Sequence, residues 1–217
     1  LAPLELTYGV KERTDASGEI SVELDEGHLR EQLSSLKAKG EVEALTISFV
    51  NSYINNLNEV AAAKIAAEIF TDIPISISSE VIPEMQEYER AETTVLNSYV
   101  RPQVSNYVNN LQANLEKSLG GDVQLSILRS DGGLASSRAT GDSPVNHLMS
   151  GPAGGVAGAI HFCNQAGYDN ILTFDMGGTS TDVALIQNSR AKVRRETLGG
   201  DVRVKAPSVD VRTLGAG

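Results

Sequence analysis

The chain has 217 residues, of which 41% are hydrophobic and 21% are charged. This composition is typical of a globular protein, and the length allows one large domain or two modest ones. The formal net charge of −10 argues against a nucleic-acid-binding surface, which needs a basic footprint, and no apolar run approaches the roughly 20 residues that cross a membrane. The single cysteine, Cys163, cannot form an internal disulfide and suits a reducing cytoplasm.

The first part of the chain alternates between strand and helix patterns. A hairpin is predicted over residues 10–24, with its turn at Asp15–Gly18. The elements that follow are a helix over 25–39 with Asp25 as N-cap and Gly40 as its end, a strand over 42–50, a helix over 58–70, a strand over 73–77, a helix over 90–119 and a buried strand over 123–128. Pro102 marks either a kink in the long helix or the first turn of a second one. This βαβαβ order predicts a parallel sheet covered by helices.

The pattern changes after a turn at residues 130–133. Residues 134–150 are predicted to be irregular, and an apolar helix follows over 156–165. Strands at 171–174 and 182–186 then form an antiparallel hairpin, with further extended pieces near 192–196 and 202–205. We therefore divide the chain into the latter part of a first domain, residues 1–150, and a connecting helix with the opening hairpins of a second domain, residues 151–217.

The sharpest chemical signal is the loop between those two antiparallel strands. Asp175 stands at the end of an apolar strand, and Gly177 and Gly178 follow it. Glycine permits positive φ and lets a phosphate approach the backbone. The next residues are three hydroxyl residues and a second carboxylate: Thr179, Ser180, Thr181 and Asp182. Backbone N–H groups in such a turn bind anions, and a carboxylate that faces bound phosphate acts through Mg²⁺ and its waters. The loop thus predicts a nucleotide-phosphate site in which Asp175 positions the metal through water or activates a nucleophile.

The alternative is a glycine hairpin that only turns the chain, but the added hydroxyl residues and second carboxylate favour the phosphate interpretation. The loop is not a Walker loop, because the Gly-Lys-Ser/Thr string is absent. It is not a dinucleotide-binding fingerprint either, because its glycines join two strands where that motif requires a strand and a helix.

Two further glycine-rich segments are candidate parts of the same site. Gly154 and Gly155 stand at the head of the apolar helix, where free N–H groups and the helix dipole favour an anion. The alternative there is a tight bend whose glycines allow close helix packing. Asp131, Gly132 and Gly133 follow the third predicted strand, and ligands of open α/β sheets bind at carboxyl strand ends. The alternative for this segment is a plain turn.

The remaining polar residues give weaker signals. Four glutamates flank Pro83 and predict a solvated acidic stretch, with a cleft-facing carboxylate as the alternative: Glu80, Glu84, Glu87 and Glu89. The three histidines lie far apart in the sequence and show no metal-ligand spacing.

The hairpin loop resembles the phosphate hairpin of actin, hexokinases and the 70-kDa heat-shock proteins. Three strings together are more specific: LRSDGG at 128–133, LMSGPAGGV at 148–156 and TFDMGGTSTDV at 173–183. In this order and spacing they closely resemble the hydantoinase A/5-oxoprolinase family, as do SSEVIPE at 78–84 and NSYVRP at 97–102. The resemblance implies an α/β fold of ribonuclease-H-like domains, with mixed sheets and covering helices, in which two domains face each other across a nucleotide cleft.

The resemblance also implies a chemistry. Family members use ATP to activate a cyclic amide or related carbonyl, and oxoprolinases and N-methylhydantoinases open lactam or hydantoin rings. ATP would phosphorylate the carbonyl oxygen before ring opening, with Gly177, Gly178, Thr179 and Ser180 holding phosphate while Asp175 and Asp182 order Mg²⁺ and water. Related subunits serve ketone carboxylases, so a carboxylase subunit is the second hypothesis. A nucleotide-binding or assembly module without turnover is the third.

Departures from the family pattern predict that the chain is part of a larger enzyme. Family members carry an earlier Gly-Gly-Thr-Phe-Thr-Asp-like loop on the opening hairpin of the first domain, and no such string occurs here. A hydantoinase B-type subunit or domain is also usual in the family. The chain begins without Met and ends in a glycine-rich stretch at 214–217. We therefore expect the chain alone to bind ATP weakly or not at all and to show no ring-opening activity.

Overall fold

The computed structural model describes residues 2–40, 42–199 and 202–215, so the last two residues of the glycine-rich end lie outside the described residues. A 3-10 turn at Leu4–Leu6 precedes the predicted hairpin, in which β1 (Arg13–Thr14) and β2 (Ile20–Val22) pair antiparallel. Asp15 holds the turn, because its Oδ1 accepts hydrogen bonds from the Ser17 hydroxyl at 2.6 Å and the Ser17 N–H at 2.8 Å. These bonds, the hydroxyl's first, lower the pKa of Asp15.

The next four elements are α1 (Glu26–Lys39), β3 (Leu45–Ile47), α2 (Leu57–Ile69) and β4 (Ile75–Ile77). Asp25 is the N-cap of α1, as predicted, and accepts a hydrogen bond from the N–H of His28 at 3.1 Å. Gly40 ends the helix with a φ of +74°, a left-handed conformation that glycine adopts without strain. β3 and β4 pair in parallel over their whole length, so the predicted βαβ unit is confirmed.

The first hydrophobic core lies between α1, α2 and this parallel pair of strands. Its buried members are Leu29, Leu33, Leu36, Ile47, Ala62, Ile65, Ala66, Phe70 and Ile77. The three leucines recur at helical spacing and therefore share one face of α1. Because burial of each large apolar side chain contributes about 1.5–3 kcal/mol, this cluster stabilises the βαβ unit.

Two helices follow, α3 (Ser78–Val81) and α4 (Glu87–Leu119). α4 starts at Glu87 rather than at the predicted Arg90. Pro102 lies inside this single helix, so the alternative of a second helix starting there is wrong. Within the described residues no helix is both long enough and apolar enough to cross a membrane.

A buried ionic network fastens α4 to the carboxyl ends of β3 and β4. Glu59 and Arg90 are fully buried, and the Ser78 hydroxyl links them by donating to Glu59 Oε1 at 2.5 Å and accepting from Arg90 Nε at 3.0 Å. Both charges also hold the backbone of Phe49, whose N–H donates to Glu59 at 2.8 Å and whose carbonyl oxygen accepts from Arg90 at 2.5 Å. Arg90 pairs in addition with Glu87. Glu87 thus departs from the predicted solvated stretch, because its carboxylate is engaged by a buried cation.

The segment after α4 departs from the sequence prediction. β5 (Ser126–Leu128) pairs antiparallel with β6 (Leu134–Ser136), and in the described part of the chain it pairs with no strand of the parallel sheet. The prediction that it adds a third parallel strand is wrong, because the intervening turn folds the chain directly back and the Arg129 N–H donates to the Gly133 carbonyl oxygen at 2.8 Å. Residues predicted to be irregular form α5 (Ser137–Asp142) and a 3-10 turn at Pro144–His147.

The second unit consists of one helix packed on antiparallel strands. The helix is α6 (Ser150–Gln165), which starts at Ser150 rather than at the predicted Val156. The strands are β7 (Ile171–Met176), β8 (Thr181–Gln187), β9 (Arg190–Ala191), β10 (Val193–Arg194), β11 (Thr197–Gly199), β12 (Val202–Val204), β13 (Ser208–Val209) and β14 (Val211–Leu214). β14, β8 and β7 form one sheet in that order, which confirms the predicted hairpin. Its inner face and α6 share a second core, to which Ala153, Val156, Ala184 and Ile186 contribute.

Strands of the second unit contact α4 and the 3-10 turn at Pro144–His147. The N–H of Lys205, just after β12, donates to the buried Thr93 hydroxyl at 3.0 Å. Val204 and Ala206 pack with Val145 in a third core cluster. Apolar burial and a directed hydrogen bond therefore join the strands of the second unit to the long helix of the first.

We expect Arg90→Ala to lower the free energy of unfolding by about 3–5 kcal/mol, because it removes the cation of a buried network. Glu87 loses its ion-pair partner, and the Phe49 carbonyl oxygen and the Ser78 hydroxyl lose a hydrogen-bond donor. Urea denaturation followed by circular dichroism measures the loss. Arg138→Ala is the matched control, because the Arg138 side chain is 93% exposed and its carboxylate partner Asp142 lies 3.9 Å away, a surface pair worth about 0–1 kcal/mol. Equal effects of the two substitutions would contradict a stabilising role for the buried network.

Candidate functional site

The candidate phosphate loop is the tight end of the β7–β8 hairpin. Asp175 pairs with Asp182 and Met176 with Thr181 in the antiparallel register. The Gly177 N–H donates to the Ser180 carbonyl oxygen at 2.9 Å, which leaves residues 178 and 179 at the tip. The structure therefore brings all the loop residues predicted from the sequence into one turn.

The two loop glycines do not adopt the left-handed conformation that glycine permits. Neither Gly177 nor Gly178 has positive φ, and the approach of a phosphate to their backbone stays a prediction. A Cβ added to Gly178 would meet no atom within 4 Å, and one added to Gly177 would lie 3.6 Å from the Ser180 carbonyl oxygen. Because any residue can adopt this backbone, the glycines leave open space beside the loop rather than relieve strain.

The hydroxyl residues of the loop are not equivalent. Thr179 is exposed and Ser180 is half-buried, whereas Thr181 is only 1% exposed. Thr179 and Ser180 can therefore present hydroxyl groups to a ligand at the tip. Thr181 lies in the interior of the hairpin, and its burial favours a structural position.

Asp175 and Asp182 stand directly opposite each other across the hairpin. The Thr213 hydroxyl on β14 donates to Asp182 Oδ1 at 2.6 Å and so fixes one of the two carboxylates. Like charges directly opposite each other on neighbouring strands are destabilising. A site that gathers two carboxylates in this way suits a cation between or near them.

A small cleft of about 210 Å³ lies beside this pair and joins it to the start of α6. Its lining residues are Pro152, Gly155, Val156, Thr173, Phe174, Asp175, Asp182 and Val211. A Cβ added to Gly155 would lie 3.7 Å from Asp175 Oδ2, so this glycine lets the helix backbone approach the carboxylate. Two segments predicted separately from the sequence therefore meet in one cleft.

Gly154, its neighbour in α6, faces a different direction. A Cβ there would lie 3.2 Å from Leu128 Cδ2 on β5, which is tighter than ordinary van der Waals contact. Close packing of helix and strand therefore accounts for Gly154, and only Gly155 of this pair lines the cleft.

The turn at residues 129–133 contacts the residue before α6 and does not line the cleft. Asp131 is engaged within the turn, because its two oxygens bind the Gly133 N–H at 2.9 Å and Arg129 at 2.8 Å. Gly132 has a φ of +87°, which requires glycine there. The buried Ser130 hydroxyl accepts the N–H of Met149, the residue before α6, at 2.9 Å. The turn thus positions the helix terminus, and ligand binding by Asp131, Gly132 and Gly133 stays a prediction.

The two carboxylates suit magnesium better than a metal ion whose ligands all come from the protein. Within the described residues no group of three or more His, Cys, Asp or Glu side chains is placed to hold a metal ion. Mg²⁺ usually keeps several waters and takes one or two carboxylates together with substrate phosphates. Asp175 and Asp182 beside a phosphate-sized cleft fit that requirement.

Sequence reasoning missed the contribution of β14. Thr213 and Val211 reach the site only because β14 pairs with β8, and Thr213 lies 31 residues from Asp182 along the chain. A two-residue alternation marks a strand but not its partner, so no local signal identified them.

Comparison with known proteins places the chain in a family. The profile of the hydantoinase/oxoprolinase family matches residues 90–217, and that of the hydantoinase/oxoprolinase N-terminal region matches residues 1–70. The chain belongs to the hydantoinase/oxoprolinase family. The predicted resemblance is thereby confirmed.

Characterised relatives within the family act on different substrates. The chain is 31% identical to caprolactamase subunit alpha of Pseudomonas jessenii over 100% of the chain and 31% of the relative. It is 35% identical to 5-oxoprolinase of Saccharomyces cerevisiae over 89% of the chain and 15% of the relative. Relatives named as acetophenone carboxylase and acetone carboxylase subunits match as well, so membership of the family does not by itself assign a substrate.

Among solved structures, nucleotide-free acetone carboxylase, described as an enzyme of ATP-dependent acetone carboxylation, matches with a TM-score of 0.84 and 32% identity over 99% of the chain and 30% of that protein. The α/β fold of the actin-like ATPase type, predicted from the sequence, is confirmed by this similarity. The chain spans about a third or less of the length of these relatives.

We expect Asp175→Asn to raise the free energy of unfolding by about 0.2–1 kcal/mol in metal-free buffer, because it removes one of two like charges that face each other across the hairpin. Urea denaturation measures the change. Asp122→Asn changes the net charge equally at an exposed position far from the hairpin and serves as the control. A loss of stability from Asp175→Asn, against no change in the control, would show that the two carboxylates do not repel each other.

Proposed function

We propose that the chain forms the phosphate-binding part of an ATP-dependent enzyme that opens a cyclic amide, such as a hydantoin, 5-oxoproline or a similar lactam. The observation that carries the proposal is the opposition of Asp175 and Asp182 in one cleft with Gly155 of α6. Family membership and the lactam-acting relatives supply the substrate class. In this proposal ATP is the phosphoryl donor.

The loop residues have groups suited to binding phosphate. The open space beside Gly178 lets a phosphate reach the backbone N–H groups of the turn, and Thr179 and Ser180 can donate hydroxyl hydrogen bonds to its oxygens. On the opposite wall α6 contributes Pro152, Gly155 and Val156, and the lack of a side chain at Gly155 leaves room beside Asp175. Anion binding without a basic surface is consistent with the net charge of −10.

The carboxylates have a separate role. When bound, Mg²⁺ neutralises the negative charge of the phosphates. Asp175 and Asp182 would accept hydrogen bonds from its waters, with Thr213 fixing the orientation of Asp182. Asp175, which is exposed, would orient an attacking group.

The proposed reaction is a phosphoryl transfer followed by hydrolysis. The amide carbonyl oxygen forms a bond to the γ-phosphorus of ATP as the bond to ADP breaks. Water then adds to the activated carbonyl carbon, and the ring C–N bond breaks as the nitrogen takes up a proton, which leaves an acyl phosphate. A second water hydrolyses the acyl phosphate to the carboxylate and inorganic phosphate. A hydantoinase B-type subunit or domain would complete the site, because the relatives include subunits of larger assemblies, caprolactamase alpha and acetone carboxylase beta.

The structural similarity to acetone carboxylase favours a second candidate, the subunit of an ATP-dependent ketone carboxylase. Both candidates use the same phosphate loop and differ in the acceptor of the phosphoryl group.

The test uses the protein extended to the length of its relatives, which we call the full-length form, together with its B-type partner. Lactam-dependent ATP hydrolysis supports the amidohydrolase, and bicarbonate-dependent ATP hydrolysis supports the carboxylase. Unchanged ATP turnover in Asp175→Ala, or no turnover with either substrate, favours a non-catalytic nucleotide-binding module.

Calorimetric titration with Mg·ATP separates the contribution of this chain from that of the rest of the enzyme. We expect measurable binding by the full-length form and weak or no binding by the 217-residue chain, because a nucleotide cleft between two domains needs a second phosphate loop. Binding by neither form would contradict the phosphate role of residues 175–182.

We expect Gly178→Val to weaken Mg·ATP binding by the full-length form about tenfold or more, roughly 1.4 kcal/mol, because the side chain fills the space through which phosphate reaches the loop. The control is Gly121→Val, since Gly121 also has open space around its Cβ position and lacks positive φ but lies at the end of α4. Both variants should keep the unfolding temperature of the parent. Equal ATP affinities of the two variants would exclude a phosphate beside Gly178.

A further inference from the structure

A hairpin arm extends from the sheet of the second unit onto the first unit. Its two sides are residues 193–199 and 202–209, in which β10 pairs with β13 and β11 with β12, both antiparallel. Val204 and Ala206 of the arm are 0% and 1% exposed and belong to the third core cluster. β14 follows the arm directly and pairs with β8, which carries Asp182. The arm therefore connects the first unit to the strand beside the candidate site.

Lys205 of the arm is a buried cation. Its side chain is 9% exposed, and its Nζ lies 3.5 Å from the Glu84 carboxylate and donates to the Met85 carbonyl oxygen at 3.3 Å. Burial of an ammonium group is costly unless its charge and its donors are compensated. A methionine would fill a similar volume without that cost. Packing alone therefore does not account for a lysine here, whereas the directed contacts to residues 84 and 85 do.

The segment that Lys205 contacts also belongs to the buried ionic network of the first unit. The Glu84 carbonyl oxygen accepts a hydrogen bond from Arg90 Nη1 at 3.4 Å, so residues 84–86 are contacted by one cation from each unit. Gln86 ends this segment with a φ of +81°, a strained conformation for a non-glycine residue that persists only where the surrounding structure enforces it. Lys205 contributes to that enforcement from the side of the second unit.

Two contacts lead from the arm to the cleft. The N–H of Val209, four residues after Lys205, donates to the Ser130 carbonyl oxygen at 2.8 Å. The Thr213 hydroxyl of β14 donates to Asp182 Oδ1 at 2.6 Å, and Asp182 lines the cleft, whereas Lys205 does not. Any effect of the ammonium group on the site therefore passes through the arm and β14.

We propose that Lys205 is a positioning residue for the candidate phosphate site. Its ammonium group fastens the arm to residues 84–86 and thereby holds β14 in place beside Asp182. The role of the cleft in this inference rests on the proposed function, whereas the placement of β14 can be measured without nucleotide. Without the ammonium group, the apolar contacts of Val204 and Ala206 keep the arm folded, but β14 is held less firmly.

Amide hydrogen exchange of the 217-residue chain tests the hold on β14. In Lys205→Met we expect the protected amides of residues 211–214 to exchange about tenfold faster, while those of β3 and β4 keep their rates and the unfolding temperature stays that of the parent. Lys205→Arg should restore slow exchange, because a guanidinium can also donate to the Met85 carbonyl oxygen. The control is Lys192→Met, which replaces an exposed lysine of the same unit.

Three results of the exchange measurement would overturn the inference. Unchanged exchange at residues 211–214 in Lys205→Met, or an equal change in Lys192→Met, shows that the ammonium group does not hold β14. Faster exchange of all amides together shows that Lys205 supports the fold as a whole. Fast exchange in Lys205→Arg shows that the cation is not what holds the strand.

Calorimetric titration of the full-length form with Mg·ATP tests the consequence for the site. Lys205→Met should weaken binding by about threefold to tenfold, whereas Lys205→Arg and Lys192→Met should bind like the parent. Faster exchange at β14 without a change in affinity overturns the positioning role. If the parent itself binds no Mg·ATP, the proposed function fails, and the exchange measurement alone decides whether Lys205 holds β14.

Discussion

The buried polar face of α4 is the constraint on which the rest of the structure depends. Arg90, Thr93, Asn97 and Ser98 are each no more than 5% exposed, and a buried polar group is costly unless it is hydrogen-bonded. Asn97 alone bonds the Ser76 hydroxyl at 3.2 Å and the Val145 N–H at 3.2 Å. These directional bonds permit only one placement of the helix across the strands.

That placement also determines where the candidate site forms. Because Thr93 accepts the N–H of Lys205, the strands of the second unit are anchored to the first. The Ser130 hydroxyl then holds the start of α6 through the Met149 N–H, next to the hairpin that carries the two aspartates. The cleft between Gly155 and Asp175 is thus the product of contacts made tens of residues away, and its geometry is sensitive to the packing of α4.

The hairpin shows a conflict between stability and chemistry. Two carboxylates opposite each other weaken strand pairing, and two glycines without positive φ add backbone entropy that folding must overcome. Neither feature improves the fold, and both are explained if the turn must leave space for phosphate and attract a cation. Such local departures from what favours folding are expected where a protein binds or reacts.

Much of this was predictable from the amino-acid sequence. Local rules located the Asp25 cap, the leucine face of α1, the long helix and the glycine–hydroxyl loop between two strands, because capping, helical periodicity and turn composition act within a few residues. The family-specific strings predicted the family and the fold type, which the comparisons confirmed. The same local patterns failed for β5, since strand composition does not encode which strand will be its neighbour. They left the conformation of Gly177 and Gly178 open, since a glycine permits positive φ without requiring it.

The sequence by itself therefore determined the long helices, the hairpin that carries the two aspartates, the chemical groups of its loop and the family. Only the tertiary structure decided which of those groups meet. It separated Gly155, which lines the cleft, from Gly154, which packs on Leu128, and it brought Thr213 to Asp182 across the sheet. The physical reason is that residue identity and short-range periodicity act along the chain, whereas strand register and helix packing are set by contacts between residues far apart in it.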